Sequence, residues 1–214
     1  MIITSICILL VLLCSCNSSG TIEYYSQKEN YISVTGTVSD IKYNEDTTAL
    51  YIDLSELSPA LDDTCFKIKK CVYDDIVEEI KPKFEECDGL VIGSPVYYAG
   101  PAGQLCAFLD RLFYISKGRM AGKIGASVVS CRRGGATAAF DRLNKYFGIS
   151  NMHIAGSQYW NQIHGNTPEE AMQDPEGLQT MRTLAQNMVW LLKCKEAGIE
   201  MPEYEKKVAT NFIR

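Results

Sequence analysis

The sequence has no excess of basic residues. Its 21 Lys and Arg are outnumbered by 26 Asp and Glu, which gives a net charge of −5. Proteins that hold nucleic acids through phosphate contacts carry clustered positive charge. We therefore predict no nucleic-acid partner.

The nine cysteines include no Cys-x-x-Cys pair and show no regular spacing. The first absence argues against a paired zinc site, and the second against a disulfide framework. Unpaired cysteine is one of the most frequently buried residue types. We predict that four cysteines in apolar surroundings are core side chains: Cys87, Cys106, Cys131 and Cys194.

An apolar run long enough to span a bilayer is also missing. Residues 2–13 are strongly apolar, but about 12 residues fall short of the ~20 that a membrane helix needs. That length suits a signal peptide, although no Lys or Arg precedes it. The following Leu-Cys-Ser-Cys resembles a bacterial lipobox, so we predict residues 1–16 as a lipoprotein signal with Cys16 as the lipid anchor. A wrongly assigned start and a buried N-terminal segment are the alternatives, and without the signal we expect a cytoplasmic protein.

The charge is unevenly distributed. Residues 1–64 carry 2 basic and 9 acidic side chains, whereas residues 65–214 carry 19 basic and 17 acidic ones. Residues 31–41 alternate apolar and polar, residues 44–46 favour a turn, and residues 49–54 predict a second strand. We interpret residues 17–64 as a linker and a β-rich segment that contains this hairpin. Its pattern is like the opening of an OB-type barrel, but it is too short to close one.

From residue 65 onward, buried strands alternate with amphipathic helices. Such alternation predicts an α/β fold with a parallel sheet covered by helices on both faces. We predict strands at 90–92, 123–130 and 152–155, and helices at 74–86, 104–114, 136–147 and 175–197. Pro82 is expected to kink or end the first helix, and Gly93-Ser94-Pro95 to end the first strand.

Several motifs in this region resemble the flavodoxin-fold NADPH-dependent FMN reductases and the related iron–sulfur flavoproteins. The most specific are Gly-Ser-Pro-Val-Tyr-Tyr at residues 93–98 and the downstream Phe-Leu-Asp-Arg at 108–111. Supporting stretches are residues 70–75, 122–123, 130–137, 158–161 and 164–170. The resemblance covers residues 65–214, which we predict as a partial flavodoxin-like domain.

The resemblance implies that FMN lies across the C-terminal edge of the sheet, with NAD(P)H as co-substrate. It assigns the cofactor to two loops, whose residues are Ser94, Pro95, Val96, Tyr97, Tyr98 and Gly100 in the first, and Ser130, Arg132, Arg133, Gly134 and Gly135 in the second. Trp160 and His164 would belong to a third loop. A solvated basic loop is the alternative interpretation of the two arginines.

The implied reaction is hydride transfer from reduced nicotinamide through flavin to an acceptor. Because the cofactor supplies the chemistry, no protein side chain is predicted to be catalytic. Asp110 and Arg111 are interpreted as structural ion-pairing residues. The resemblance also allows a homodimer.

The sequence lacks the family's first loop, of the type Gly-Ser-Pro-Arg-x-x-Gly-Asn-Thr, which holds the FMN phosphate at a helix N-terminus. Residues 1–64 stand where the first βαβ unit should be, replaced by the short hairpin segment. Strand 90–92 would then be an exposed edge unless something covers it. Cys65 and Cys71 match only two of the four cluster cysteines of the iron–sulfur flavoproteins, so no metal site is predicted.

These gaps leave three interpretations open. In the first, the chain is a flavin-dependent oxidoreductase that binds FMN weakly or has lost it. In the second, it is a lipid-anchored, non-catalytic interaction protein derived from a flavodoxin-like domain. In the third, the reading frame joins a lipoprotein start to a flavoprotein remainder near Cys65. An exported location conflicts with the use of cytosolic NADPH, and exported cysteines tend to oxidise.

Overall fold

The structure is a computed structural model. It describes residues 67–198, 200–206 and 208–210, together with the backbone of residues 9–13 and 47–51. Four sequence predictions lie outside these residues: the lipid anchor at Cys16, the strand at 31–41, the turn at 44–46 and the match of Cys65 to a cluster cysteine.

The described residues form a sheet with helices on both faces, as the sequence predicted. The strands are β1 (Leu9–Leu13), β2 (Thr47–Tyr51), β3 (Gly89–Tyr97), β4 (Gly100–Pro101), β5 (Ile124–Cys131), β6 (His153–Ile154) and β7 (Gln162–His164). The helices are α1 (Ile76–Glu86), α2 (Gly103–Ile115), α3 (Ala136–Ile149), α4 (Pro168–Ala171) and α5 (Pro175–Glu196).

The strand order is β2-β1-β3-β5-β6. β3, β5, β6 and β7 are parallel, because β3 pairs with β5 and β5 pairs with both short strands. β1 pairs antiparallel with β3, with Leu10 opposite Ile92. The edge of β3 is therefore covered, by the segment that the sequence assigned to a signal peptide. β2 overlaps the predicted strand 49–54 and pairs with β1.

β3 is longer than the sequence predicted. It continues through Gly93-Ser94-Pro95 to Tyr97, so the prediction that these residues end the strand is wrong. β1 pairs with β3 only as far as Ile92, and beyond that point the described partner of β3 in the main sheet is β5, with Pro95 opposite Ser130. Proline is tolerated in a strand where one side makes no ladder bonds, because its missing N–H then costs nothing.

α1 begins where an acidic cap was expected. The Asp75 carboxylate accepts a hydrogen bond from Val77 N at 3.1 Å and satisfies one of the free N–H groups of the first turn. The helix runs through Pro82, which therefore does not end it. Its apolar stripe, formed by Val77, Ile80 and Phe84, is fully buried.

The sheet separates two clusters of buried side chains. The larger one contains Leu90 and Ile92 of β3 and is covered by α1, α2 and α3. The smaller one contains Ile124 and Ala126 of β5 and is covered by α5. Cys87 and Cys131 are buried as predicted, whereas Cys106 is half-buried and Cys194 is exposed, so the prediction for Cys194 is wrong.

Three short elements near the carboxyl ends of the strands were not predicted: β4, β7 and α4. β4 returns from β3 through a tight turn, with Val96 opposite Pro101. β7 lies in the stretch that we predicted as a loop, and pairs with the last three residues of β5. Four residues or fewer give too little periodicity to identify an element from sequence.

Candidate functional site

Three neighbouring strands end together at the carboxyl edge of the sheet. Pro95 of β3 is opposite Ser130 of β5, and Cys131 of β5 is opposite His164 of β7. The structure thus brings together the two loops that the sequence assigned to a cofactor, and the third loop that contains His164. In open α/β sheets this edge is where ligands bind.

Ser94 has a structural role at this edge. Its side chain is buried, and its hydroxyl oxygen accepts a hydrogen bond from Ala102 N at 3.0 Å. The same hydroxyl donates to the Pro95 carbonyl at 2.7 Å. Ala102 is the N-cap residue of α2, so Ser94 fixes the start of that helix against the end of β3. The Ser94 hydroxyl therefore makes both of these hydrogen bonds within the protein.

The first loop turns through two residues with left-handed backbone conformations, Tyr98 (φ 49°) and Ala99 (φ 60°). The Tyr97 side chain is half exposed and the Tyr98 side chain is fully exposed. Pro95, Val96 and Gly100 are half-buried around them. The turn therefore presents two tyrosine rings to solvent beside the end of β3.

The first and second loops are in direct contact through Gly135. This residue has φ 92°, and a Cβ placed on it would lie 2.8 Å from the Cα of Ala99. Only glycine allows this approach, since a methyl group would collide with backbone. Gly135 thus brings the two loops together, whereas a Cβ on Gly134 would meet nothing within 4 Å. The assignment of the glycine pair to a cofactor stays a prediction.

The rest of the second loop faces solvent. Ser130, Arg132, Arg133 and Gly134 are all exposed. They lead into α3, whose N-cap is Gly135 and whose first turn contains no acidic residue. The exposed part of this loop therefore presents two positively charged side chains and the backbone of Gly134 to solvent.

The Cys131 thiol lies beside this loop but is not activated. Burial raises its pKa, although hydrogen bonds from the backbone of Arg133 and Ala136 act in the opposite direction. The thiolate is the nucleophilic form of cysteine. A raised pKa therefore argues for a neutral core side chain rather than a nucleophile.

His164 is held by Asp174, the N-cap residue of α5. The Asp174 Oδ2 accepts a hydrogen bond from His164 N at 2.8 Å and lies 3.5 Å from the ring Nδ1. Its Oδ1 accepts from Gly177 N at 2.9 Å. Burial alone would raise the pKa of Asp174, but these two backbone donors and the nearby imidazole lower it. Asp174 thus joins the end of β7 to the start of α5.

The stretch before β7 forms an ordered loop with two half-exposed rings. The ring centroids of Tyr159 and Trp160 are 4.7 Å apart, with 53° between the planes. Asn161 follows them and is 1% exposed. Its carbonyl oxygen accepts a hydrogen bond from Val129 N at 3.0 Å, which attaches the loop to β5. The side-chain amide of Asn161 is buried and lies 2.8 Å from the Ser157 hydroxyl oxygen.

Two ion pairs lie away from this edge. Arg111 is buried and donates to both carboxylate oxygens of Asp75, while Asp110 pairs with Arg142 at 3.2 Å and accepts from Tyr146 Oη at 2.5 Å. Both support the structural interpretation of Asp110 and Arg111. Arg111 also donates to the Cys71 sulfur at 2.7 Å. Within the described residues, no group of three or more His, Cys, Asp or Glu side chains could hold a metal ion.

The sequence profile of the NADPH-dependent FMN reductases matches residues 36–167, which is more than half of the chain and includes both loops in contact at Gly135. The chain belongs to the NADPH-dependent FMN reductase family. The match begins before residue 65, so the family resemblance extends further toward the N-terminus than the motifs indicated, and it includes β2.

The relatives agree with this assignment. An iron–sulfur flavoprotein of Methanocaldococcus jannaschii is 31% identical over 147 residues, which cover 64% of this chain and 76% of the relative. An iron–sulfur flavoprotein of Methanosarcina thermophila is 28% identical over 153 residues, covering 69% and 79%. The flavodoxin, WrbA-like protein of Agrobacterium tumefaciens has a TM-score of 0.45 at 15% identity, covering 54% of this chain and 73% of that structure. The family match, together with a sheet that has helices on both faces, confirms the α/β, flavodoxin-like fold class.

The structure also bears on whether the chain crosses a membrane. Among the residues whose placement is described, no helix is both long enough and apolar enough to cross a bilayer. The lipid anchor and the location of the protein stay predictions.

The sequence reasoning missed Asn161 and Asp174. Asp174 had a recognisable signal, because Asp followed by Pro175 is a common N-cap and first-turn pair. Thr167, with Glu170 three residues later, likewise has capping-box spacing, and Glu170 N donates to its hydroxyl at 3.2 Å. Asn161 had no such signal, since its burial depends on how the loop packs.

Proposed function

We propose that the chain binds FMN along the carboxyl edge of the sheet and uses it to transfer hydride from NAD(P)H to an acceptor. The observation that carries this proposal is the family match across two loops that touch at Gly135 and Ala99. When bound, FMN would supply the two-electron hydride chemistry between reduced nicotinamide and an acceptor.

The residues at this edge fit a planar ring. Tyr97 and Tyr98 lie on β3 and its turn, and Tyr159 and Trp160 lie beside β7, with β5 between them. Strands in a sheet are about 4.8 Å apart, so the two aromatic groups flank a shelf about 10 Å wide. The aromatic side chains would stack on or shield the ring, and the exposed backbone of the second loop would orient it.

We expect charged side chains, rather than aromatic rings, to bind the phosphate groups. Arg132 and Arg133 are exposed at the same edge, and guanidinium groups suit phosphate. We assign them to the anionic part of the nucleotide substrate. The sequence contains no first-loop phosphate motif, so we expect the phosphate of FMN itself to add little to binding.

A comparison of two flavins tests both parts of this proposal. The full chain is titrated with FMN and with riboflavin, which lacks the phosphate, and binding is followed by flavin fluorescence. We expect both to bind, with dissociation constants within about tenfold of each other. If the protein held the FMN phosphate through several charge-assisted hydrogen bonds, each bond would add about 1.5–3 kcal/mol to binding. The dissociation constants of FMN and riboflavin would then differ by much more than tenfold.

Variants at the edge provide the control. Replacing Tyr97 and Tyr98 with Ala should weaken both flavins equally. The matched substitution Tyr204→Ala, at a tyrosine that is 63% exposed in the C-terminal segment, should leave binding unchanged. Absence of any fluorescence change with either flavin would overturn the proposal. A large preference for FMN would contradict the expectation about the phosphate.

A further inference from the structure

We propose that a basic patch beside the end of α2 binds the surface of a membrane that contains anionic lipids. The basic patch consists of one exposed isoleucine and four exposed lysines: Lys67, Ile68, Lys69, Lys70 and Lys117. This inference goes beyond the proposed function and does not rest on it, because it concerns a different surface of the molecule.

The first observation is that the fold brings together lysines from two separate segments. Lys69 lies in the segment before α1, and Lys117 follows the end of α2. Both line one cavity of about 180 Å³, together with Tyr114 and Ile115. Lys81 Nζ of α1 donates a hydrogen bond to the Lys69 carbonyl at 2.8 Å and ties the segment to that helix. The basic patch therefore has a defined place on the surface.

The second observation is the local charge. Residues 67–73 contain three lysines, and residues 114–119 contain one lysine and one arginine, whereas neither stretch contains an acidic residue. The chain as a whole has a net charge of −5. A concentrated positive charge on an acidic protein is complementary to an anionic surface. Each lysine or arginine close to anionic lipids raises the affinity about fivefold.

The carboxylates next to the basic patch are engaged within the protein. Glu78 Oε1 accepts a hydrogen bond from Cys71 N, and Glu85 lies 3.9 Å from Lys81 Nζ. Arg119 lines a neighbouring cavity together with both glutamates, so we do not count it in the basic patch. These contacts reduce the repulsion that the start of α1 would exert on an anionic surface.

The third observation is the presence of exposed apolar side chains among the lysines. Ile68 is 56% exposed and Val72 is 44% exposed. Segments that lie on a membrane surface combine apolar side chains with lysine or arginine, because the apolar groups enter the headgroup region while the charges stay in water. A free anion gains nothing from an exposed isoleucine, so this combination favours a lipid surface.

The basic patch lies far from the edge that carries the proposed flavin site. α2 begins at that edge, where Ser94 holds Ala102, and Lys117 follows its opposite end. The 13 residues of α2 rise about 1.5 Å each, which separates the two places by about 20 Å. A membrane bound at the basic patch therefore leaves the carboxyl edge of the sheet accessible to soluble nucleotides.

Sedimentation with lipid vesicles tests this inference. The full chain is mixed with vesicles made of equal parts phosphatidylcholine and phosphatidylglycerol, and separately with vesicles of phosphatidylcholine alone. The neutral vesicles measure binding through apolar segments elsewhere in the chain. We expect stronger binding to the mixed vesicles, and a loss of that difference at high salt. Equal binding to both kinds of vesicle would overturn the proposal.

Paired lysine variants locate the charge that binds. The double variant Lys69→Gln and Lys117→Gln should bind the mixed vesicles about 25-fold more weakly, or about fivefold for each lysine. The matched double variant Lys193→Gln and Lys206→Gln removes the same charge from exposed positions elsewhere and should change binding less than about twofold. Equal losses in the two would show that only net charge matters, and would overturn the basic patch.

Isoleucine variants test the apolar part. Ile68→Ser should weaken binding to the mixed vesicles about fivefold, because a partly inserted isoleucine is lost. Ile149→Ser, at an isoleucine that is 88% exposed at the end of α3, is the matched control and should bind as the wild type does. Circular dichroism verifies that each variant is folded, and Lys70→Gln replaces the first lysine pair if that pair misfolds. Equal effects of the two serine variants would overturn the role of Ile68.

Two further measurements separate a lipid surface from other anions. Replacing sodium chloride with sodium phosphate at equal ionic strength should leave vesicle binding unchanged, and release by phosphate would overturn the lipid assignment. Polyglutamate that binds through Lys69 and Lys117, in a chain that does not bind vesicles, would assign the basic patch to an acidic protein instead. Flavin titration of the same lysine variants should match the wild type, so the failure of either proposal leaves the other standing.

Discussion

Arg111 donates from both terminal nitrogens to the two carboxylate oxygens of Asp75, each at 2.7 Å. Arg111 lies on α2 and is 1% exposed, and Asp75 is the N-cap residue of α1. The guanidinium carbon also lies 4.9 Å from the centroid of the Tyr73 ring. One buried bidentate pair therefore joins the start of α1 to the middle of α2.

Breaking this pair should destabilise the fold strongly. Asp75→Asn keeps an oxygen that can cap α1 but removes the charge, so the buried guanidinium loses its counter-ion. We expect the free energy of unfolding to fall by about 3 kcal/mol. Urea denaturation measures it. The matched control is Glu85→Gln, which removes the half-exposed partner of Lys81 at 3.9 Å and should cost less than about 0.5 kcal/mol. Equal losses in the two variants would refute the structural role of the buried pair.

The contact between the two edge loops predicts a contrast between neighbouring glycines. Gly135→Ala introduces a Cβ that would lie 2.8 Å from Ala99 Cα, at φ 92°. We expect a loss of about 1–3 kcal/mol from backbone strain, together with weaker flavin binding as the loops separate. Gly134→Ala meets nothing within 4 Å and should stay within about 0.5 kcal/mol. Thermal unfolding and flavin titration of both variants check this, and similar behaviour would contradict it.

Asp174 predicts a pH dependence of stability. Its pKa is lower in the folded protein than in the unfolded chain, so the ionised carboxylate favours folding. This contribution is complete above the unfolded pKa of about 3.9 and is lost as the pH falls through the folded pKa. Asp174→Asn should therefore reduce stability at pH 7, and the difference from wild type should shrink below about pH 4. Urea unfolding at neutral and acidic pH measures it, and a difference that is constant with pH would argue against the charge.

Ser94 predicts a loss of stability without loss of a ligand contact. Its hydroxyl accepts from Ala102 N inside the protein, so Ser94→Ala leaves a buried N–H group unsatisfied. The expected cost is about 1–3 kcal/mol in chemical denaturation. Ser130→Ala, at the exposed residue of the same edge, should be nearly neutral. If Ser94→Ala instead weakened flavin binding while the protein kept full stability, Ser94 would belong to the ligand site.

Local sequence pattern was sufficient to predict the long helices. Helix α1 was predicted from residue 74 and begins at Ile76, and α5 was predicted to begin at Pro175 and does. In both, a capping carboxylate precedes a regular apolar stripe. Each signal lies within a few residues, so it needs no knowledge of the rest of the fold.

The short elements at the carboxyl edge of the sheet could not be predicted from local sequence pattern. β7 has three residues and is a strand because β5 provides the neighbouring ladder. β3 continues through Pro95 because β1 pairs only as far as Ile92. Whether a strand ends at proline depends on whether a partner needs its N–H, and that is decided by a segment some eighty residues away.

The sequence by itself determined the α/β class and the family, because apolar periodicity and motif residues are local properties of the chain. Only the tertiary structure decided that Gly135 contacts Ala99, that the Ser94 hydroxyl accepts a hydrogen bond from Ala102 N, and that the Asn161 side chain is buried. These features depend on residues that the fold brings together from different parts of the chain. A hydrogen bond forms only where the fold places a donor beside an acceptor.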